Sequence, residues 1–140
     1  MARERVRVIL LLMEAPTAIL VIEDEQFLRN LISEKLRHEG YAVRAAIDGE
    51  DGLRMAREAP PALILLDLLL PGIDGFEVLC RLKEDRESAN IPVLVLSNLG
   101  QREDIDRAMA LGAKGFLIKA NFTPGQVVEK IKGALNRSYM

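Results

Sequence analysis

Five residues carry the chemistry open to this chain: Glu23, Asp24, Asp67, Ser97 and Lys119. Each stands at the end of a short apolar run: "AILVI" before Glu23-Asp24, "LILL" before Asp67, "VLVL" before Ser97 and "GFLI" before Lys119. Carboxylates crowded at one edge repel and resist joint ionisation unless a cation sits among them. With no His or Cys beside them the donors are all oxygen, which selects a hard divalent ion such as Mg2+; that ion keeps several waters while taking one or two carboxylates plus phosphate oxygens. A lysine and a hydroxyl from neighbouring run ends suit the remaining oxygens of a phosphoryl group as charge shifts in transfer. Asp67 is then placed as a carboxylate nucleophile that forms an acyl phosphate. Singly, each residue has a plainer role: an acid after a strand often caps the next helix, a serine there is a turn hydroxyl, and a lysine is commonly just solvated. Gathered on one edge, they are harder to dismiss.

The elements that must position them form five strand–helix pairs. "AILVI" (18–22) precedes "FLRNLISEKLRHEG" (27–40), which places Phe27, Leu28, Leu31, Ile32 and Leu36 on one helical face and stops at Gly40. "YAVRAA" (41–46) and "DGEDGLRMAREA" (48–59) repeat the pair, ended by Pro60-Pro61. Residues 63–67 precede a helix over 76–85, residues 91–97 precede one over 102–111 closed by Gly112, and residues 114–119 precede the last. Thr123-Pro124 is an N-cap and first-turn pair for that final helix, which runs to about residue 136. Strands apolar on both faces and separated by helices predict an open, doubly wound α/β domain: a five-stranded parallel sheet with helices on both faces. A closed eight-fold barrel needs about 250 residues. In an open sheet, ligands bind beyond the carboxyl ends of the strands at the topological switch point, the edge where the five residues lie.

Composition agrees with one folded domain. The 140 residues are 49% hydrophobic and 29% charged, outside the range of disordered chains. A formal charge of −2 supplies no basic field for a phosphate backbone, so direct nucleic-acid binding is not expected. The single cysteine, Cys80, cannot form an intramolecular disulfide and fits a reducing, cytoplasmic setting; it reads as a small core residue on a helix. Residues 1–17 stand apart. Their apolar run, Val8 to Met13, is far short of the roughly 20 residues that span a bilayer, and Glu14 follows it too closely for a signal peptide. They are expected to be an extension, packed on the domain or disordered, ahead of a domain over 18–136 and a tail over 137–140. No membrane partner is expected.

From 18 to about 136 the chain resembles the response-regulator receiver domains of two-component signalling, in their stand-alone, CheY-like form. The matching motifs are "ILVIEDE", "LILLDLLLPGIDGFEVL", "VLVLS" and "GAKGFLIK", and the separations of Asp24, Asp67, Ser97 and Lys119 also agree with the family pattern. The resemblance implies a flavodoxin-like sheet of order 2-1-3-4-5. It implies that Asp67 accepts a phosphoryl group from a sensor histidine kinase or a phosphotransfer protein in a Mg2+-dependent reaction. Glu23, Asp24, Asp67 and the backbone carbonyl of Leu69 would hold the metal, Ser97 would meet the phosphoryl group, and Lys119 would pair with it. Ser97 and Phe116 would be the switch residues. A downstream protein would dock on the face formed by residues 102–136, and no output module is expected after the last helix. The only catalysis implied is of the chain's own phosphorylation and dephosphorylation.

Two departures from the family pattern stand out. Ala120 follows Lys119 where the family usually has a proline, often reached through a cis peptide, and a cis bond before alanine costs about 2.5–4 kcal/mol. Phe116 fills the switch-aromatic position without a hydroxyl. Three other classes fit less well. A receiver-like interaction module that no longer accepts phosphate would not need the five residues retained here. An aspartyl phosphatase wants a second acid two residues after Asp67, where Leu69 stands. A dinucleotide-binding enzyme wants G-x-G-x-x-G after the first strand, where Glu23, Asp24 and Glu25 would repel a pyrophosphate.

Overall fold

The computed structural model describes residues 2–13 and 15–137. Its elements run α1 (Ala2–Met13), β1 (Ala18–Ile22), α2 (Gln26–His38), β2 (Ala42–Ala46), α3 (Gly49–Glu58), β3 (Leu63–Leu66), α4 (Gly75–Glu84), β4 (Val93–Ser97), α5 (Arg102–Ala110), β5 (Gly115–Ile118) and α6 (Pro124–Arg137). The five strands form one sheet in the order β2-β1-β3-β4-β5, every pairing parallel. This is the doubly wound, flavodoxin-like arrangement expected. The expected tail beyond residue 137 lies outside the described residues. Helix α1 covers most of the expected extension, and its residues 2–9 are exposed.

Strand alternation divides the interior into two cores. Leu20, Ile22, Ile64, Leu66, Val93 and Val95 face a cluster completed by Ala56 of α3, Phe76, Val78, Leu79 and Leu82 of α4, and Ala108 of α5. Ile19, Val21, Leu63, Leu65, Leu94 and Leu96 face the other, completed by Ile32 and Leu36 of α2 and Val127, Val128 and Ile131 of α6. Burying one such aliphatic side chain contributes roughly 1.5–3 kcal/mol, so strands buried on both faces anchor the edge from which the polar residues project.

Some expectations shift. Phe27 does not lie on the packed face of α2: it is 76% exposed. The buried stripe is Ile32, Ser33 and Leu36, with Leu28 packed beside it, and Phe27 falls on its flank. Strand ends retreat by a residue or two, so Asp67 and Lys119 stand just beyond β3 and β5 rather than within them. No peptide bond among the described residues is cis, so Lys119–Ala120 is trans, the form alanine prefers, and the chain closes over Lys119–Asn121 in a short 3-10 turn.

Local chemistry explains the turns. After Asp67 the chain reverses through Gly72 at φ 76°, a conformation that costs glycine nothing. Asp74 then caps α4, its Oδ1 accepting the Glu77 N–H at 2.9 Å. At α6, Thr123 Oγ1 accepts from the Gln126 N–H at 3.2 Å while Gln126 Oε1 accepts from the Thr123 N–H at 2.8 Å, a reciprocal capping box.

Candidate functional site

Strand periodicity builds the site. Glu23 continues the alternation of Ile19 and Val21, Asp67 that of Leu63 and Leu65, and Lys119 that of Leu117, so all three emerge on the side of the core shared by α2 and α6. Backbone bonds fix their heights: the Asp67 N–H donates to Ile22 O at 3.0 Å and the Glu23 N–H to Ala46 O at 3.0 Å. Helix α4 comes close behind. At Gly75 a Cβ would collide with the Asp67 carbonyl oxygen and the Leu68 Cα, so only glycine lets α4 start there.

Carboxylate oxygens of Glu23, Asp24 and Asp67 lie within 4.8 Å of one another. Glu23 and Asp67 are each only 3% exposed. Lys119 reaches between them, its Nζ 2.7 Å from Asp67 Oδ2 and 2.6 Å from Glu23 Oε1, with Glu25 Oε2 at 3.9 Å. The approach to Glu23 Oε1 is an ion pair off the hydrogen-bond axis, which leaves that buried oxygen without an aligned donor. Asp67 Oδ1 accepts the Leu69 N–H at 3.1 Å.

The electrostatics follow. Burial pushes the Glu23 carboxyl up to about 7, opposed by Lys119 and reinforced by the charge of Asp67. Burial pulls the Lys119 ammonium down, but its hydrogen bond to Asp67 and its close contacts with the charges of Asp67 and Glu23 outweigh that, and its pKa is raised. One cation thus serves two buried carboxylates with a third beside them, and the cluster keeps an excess of negative charge. Three carboxylates this close, two of them buried, make an all-oxygen donor set that fits a hard divalent cation such as Mg2+.

The other expected residues lie at the end of β4, within β5 and just after β3. Ser97 is fully buried at the end of β4, where it follows Val93 and Val95 in the alternation that faces the opposite core; its Oγ accepts the Leu99 N–H at 3.4 Å. Phe116 is half-buried and packs on that same opposite core, as does Leu99. Leu69 meets Asp67 through its amide, and its side chain is exposed. Two further participants are not among the expected site residues. Arg29 of α2 donates to the carbonyls of Glu23 and Asp24, each at 3.1 Å, and a lone arginine on a helix has no motif that would mark this. Glu25 lies near Lys119, and the run Glu23-Asp24-Glu25 is the signal that could have pointed to it.

Comparison with known proteins agrees with this fold. A family model described as "Response regulator receiver domain" matches residues 19–132. The chain is 39% identical over 120 residues to the DNA-binding dual master transcriptional regulator RpaA of Synechocystis sp., covering 86% of this chain and 49% of that protein. It is 36% identical to the transcriptional regulatory protein ResD of Bacillus subtilis, covering 87% and 49%. The chain therefore spans about half the length of these curated relatives. A crystal structure of a putative response regulator from Chloroflexus aurantiacus superposes with a TM-score of 0.79 at 30% identity, covering 86% of this chain and 98% of that one. The phosphorylated cyanobacterial phytochrome response regulator RcpA superposes with a TM-score of 0.75 at 32% identity, covering 86% and 91%.

Proposed function

The chain belongs to the response-regulator receiver family, and on that premise we propose that it is a phosphorylation switch whose acceptor is Asp67. The observation that carries this reading is the convergence of Lys119 on Asp67 and Glu23 at the carboxyl ends of three strands. An Asp67 carboxylate oxygen attacks the phosphorus of a phosphohistidine; the new O–P bond forms as the N–P bond breaks, and the imidazole leaves with the electron pair. The donor is a sensor histidine kinase or a phosphotransfer protein. Lys119, now shared between two carboxylates, is placed to follow the charge onto the phosphoryl oxygens. Ser97 meets the transferred group, and Ser97 and Phe116 carry the change to the surface.

Glu23, Asp24, Asp67 and the Leu69 carbonyl are the groups that would hold Mg2+. When bound, that ion neutralises the acids and screens the incoming phosphoryl group from them. Residues 18–136 form the switching unit and residues 1–17 an extension of it. The unit catalyses only its own phosphorylation and dephosphorylation. Output runs through protein contacts on the face of residues 102–136, in a cytoplasmic setting.

The test is intact mass after incubation with Mg2+ and acetyl phosphate. One phosphoryl group is expected, absent in Asp67→Asn and absent with chelator. An Asn variant modified to the parental level would rule out Asp67. An unmodified parental chain would favour a receiver-like module that no longer accepts phosphate.

A further inference from the structure

The segment that carries Glu23 and Asp24 has little regular structure of its own. Strand β1 stops at Ile22 and helix α2 begins at Gln26. Glu25 gives α2 no side-chain cap, and the first turn of the helix holds no acid. The segment is held through its backbone. The Glu23 N–H is tied to Ala46 O, and the Nη1 of Arg29 donates to both Glu23 O and Asp24 O at 3.1 Å.

One peptide plane turns this into control of a side chain. The Asp24–Glu25 peptide is trans and planar, so its C=O and N–H point in opposite directions. Arg29 takes the C=O, and the N–H on the other side donates to Glu23 Oε2 at 3.3 Å. The guanidinium thus acts on a buried carboxylate without touching it. We propose that Arg29 is a positioning residue for the cation site: by holding the carbonyls of Glu23 and Asp24 it aims the Glu25 amide at Glu23 and sets the direction in which both acids present their oxygens. This inference rests on the reading that Glu23 and Asp24 serve a divalent cation.

Helix stability gives no reason for this residue. A cation near a helix N-terminus opposes the macrodipole, so Arg29 sits where α2 alone would disfavour it. Its chemistry suits the carbonyls instead. A guanidinium is always charged and presents its donors in a rigid, weakly hydrated fork, whereas a lysine ammonium is a compact, strongly hydrated point on a flexible stem.

The experiment is calorimetric titration of the full chain with Mg2+ alone, for the parent, Arg29→Lys, Arg29→Gln and Arg37→Gln. Arg37 is the internal control: it lies on the same helix and donates to a backbone carbonyl, Val43 O at 3.0 Å, remote from the acids. Both Arg29 variants are expected to bind Mg2+ about tenfold more weakly, the low end of what outer-sphere partners of metal ligands contribute. The Glu25 amide resonance should shift in both, while Arg37→Gln keeps parental affinity. If Arg29→Gln loses the fold, Arg29→Lys decides, because it keeps the charge and the aliphatic stem. Parental binding matched within twofold by the Arg29 variants overturns the role of Arg29 and leaves the cation site standing. Equal weakening in Arg37→Gln also overturns it, since the effect would then be general loosening. A parental chain that binds no Mg2+ brings down the cation site and the inference together.

Discussion

Lys119 Nζ lies 2.7 Å from Asp67 Oδ2, joining the first residue beyond β5 to the first beyond β3 across the intervening β4. The same nitrogen is 2.6 Å from Glu23, so a single cation balances two buried acids. Removing it should therefore cost more than an ordinary surface pair. Breaking a buried ion pair by deleting one partner destabilises by about 3–5 kcal/mol. Lys119→Met is expected to lower the thermal midpoint markedly in chelator and to recover part of the loss when Mg2+ is added. Calorimetric melts with and without the ion check this; a midpoint equal to the parent's in chelator would mean that Lys119 does not compensate the acids.

The Glu23 carboxyl gives stability a pH dependence whose sign is fixed. Its pKa is raised by burial from 4.5 to about 7 in the fold. Between those values the folded chain holds a proton that the unfolded chain has lost. Stability therefore falls as pH rises through that window, and the penalty is complete above it. The shift corresponds to an upper bound on the order of 3 kcal/mol. In chelator the parental midpoint should drop from pH 5 to pH 8 by several degrees more than that of Glu23→Gln, whose amide does not titrate. Parallel pH profiles for the two proteins would assign the dependence to other groups.

Much of this site is legible in the sequence because strand periodicity reaches it. Runs that alternate between two buried faces fix where Glu23, Asp67 and Lys119 emerge, and the turn chemistry of Gly72 and Asp74 is written in their types. What escapes is what backbone geometry decides. Arg29 acts on carbonyls, which every residue carries, so no side-chain pattern announces it. Phe27 follows the helical count but sits a residue off the packed stripe, and a short amphipathic segment tolerates that ambiguity. Ser97 is found at its strand end, yet its alternation places it with the opposite core from Asp67, a relation that only register reveals.

Gly75 tests how closely α4 must approach Asp67, the proposed acceptor. Its φ is ordinary, so an alanine there suffers from space alone: the added methyl meets the Asp67 carbonyl oxygen and the Leu68 backbone, neither of which is a flexible side-chain end. Overpacking of this kind costs typically 1–3 kcal/mol. Gly75→Ala should lose several degrees of midpoint and slow phosphorylation of Asp67, whereas Gly133→Ala, where nothing lies within 4 Å, should do neither. Equal behaviour of the two variants would show that the β3–α4 junction yields without consequence.

If Asp67 is the acceptor proposed above, the lifetime of its phosphorylated state depends on water reaching phosphorus opposite the Asp67 oxygen. Polar side chains two residues after the acceptor and two after the hydroxyl residue could hold that water, and here both positions are leucine, Leu69 and Leu99. Both touch the site through backbone amides: the Leu69 N–H donates to Asp67 Oδ1 and the Leu99 N–H to Ser97 Oγ. Neither side chain can donate or accept a hydrogen bond. The two differ in freedom: Leu69 is 51% exposed, whereas Leu99 packs on the core behind β4. Slow hydrolysis is expected in the parent. Leu69→Asn should speed decay with little effect on stability, because an exposed leucine contributes little packing. Leu99→Glu should speed decay and also destabilise, because a carboxylate replaces a packed side chain. The measurement is loss of phosphate by intact mass after donor removal. If both variants decay at the parental rate, water positioning at these two residues does not set the lifetime.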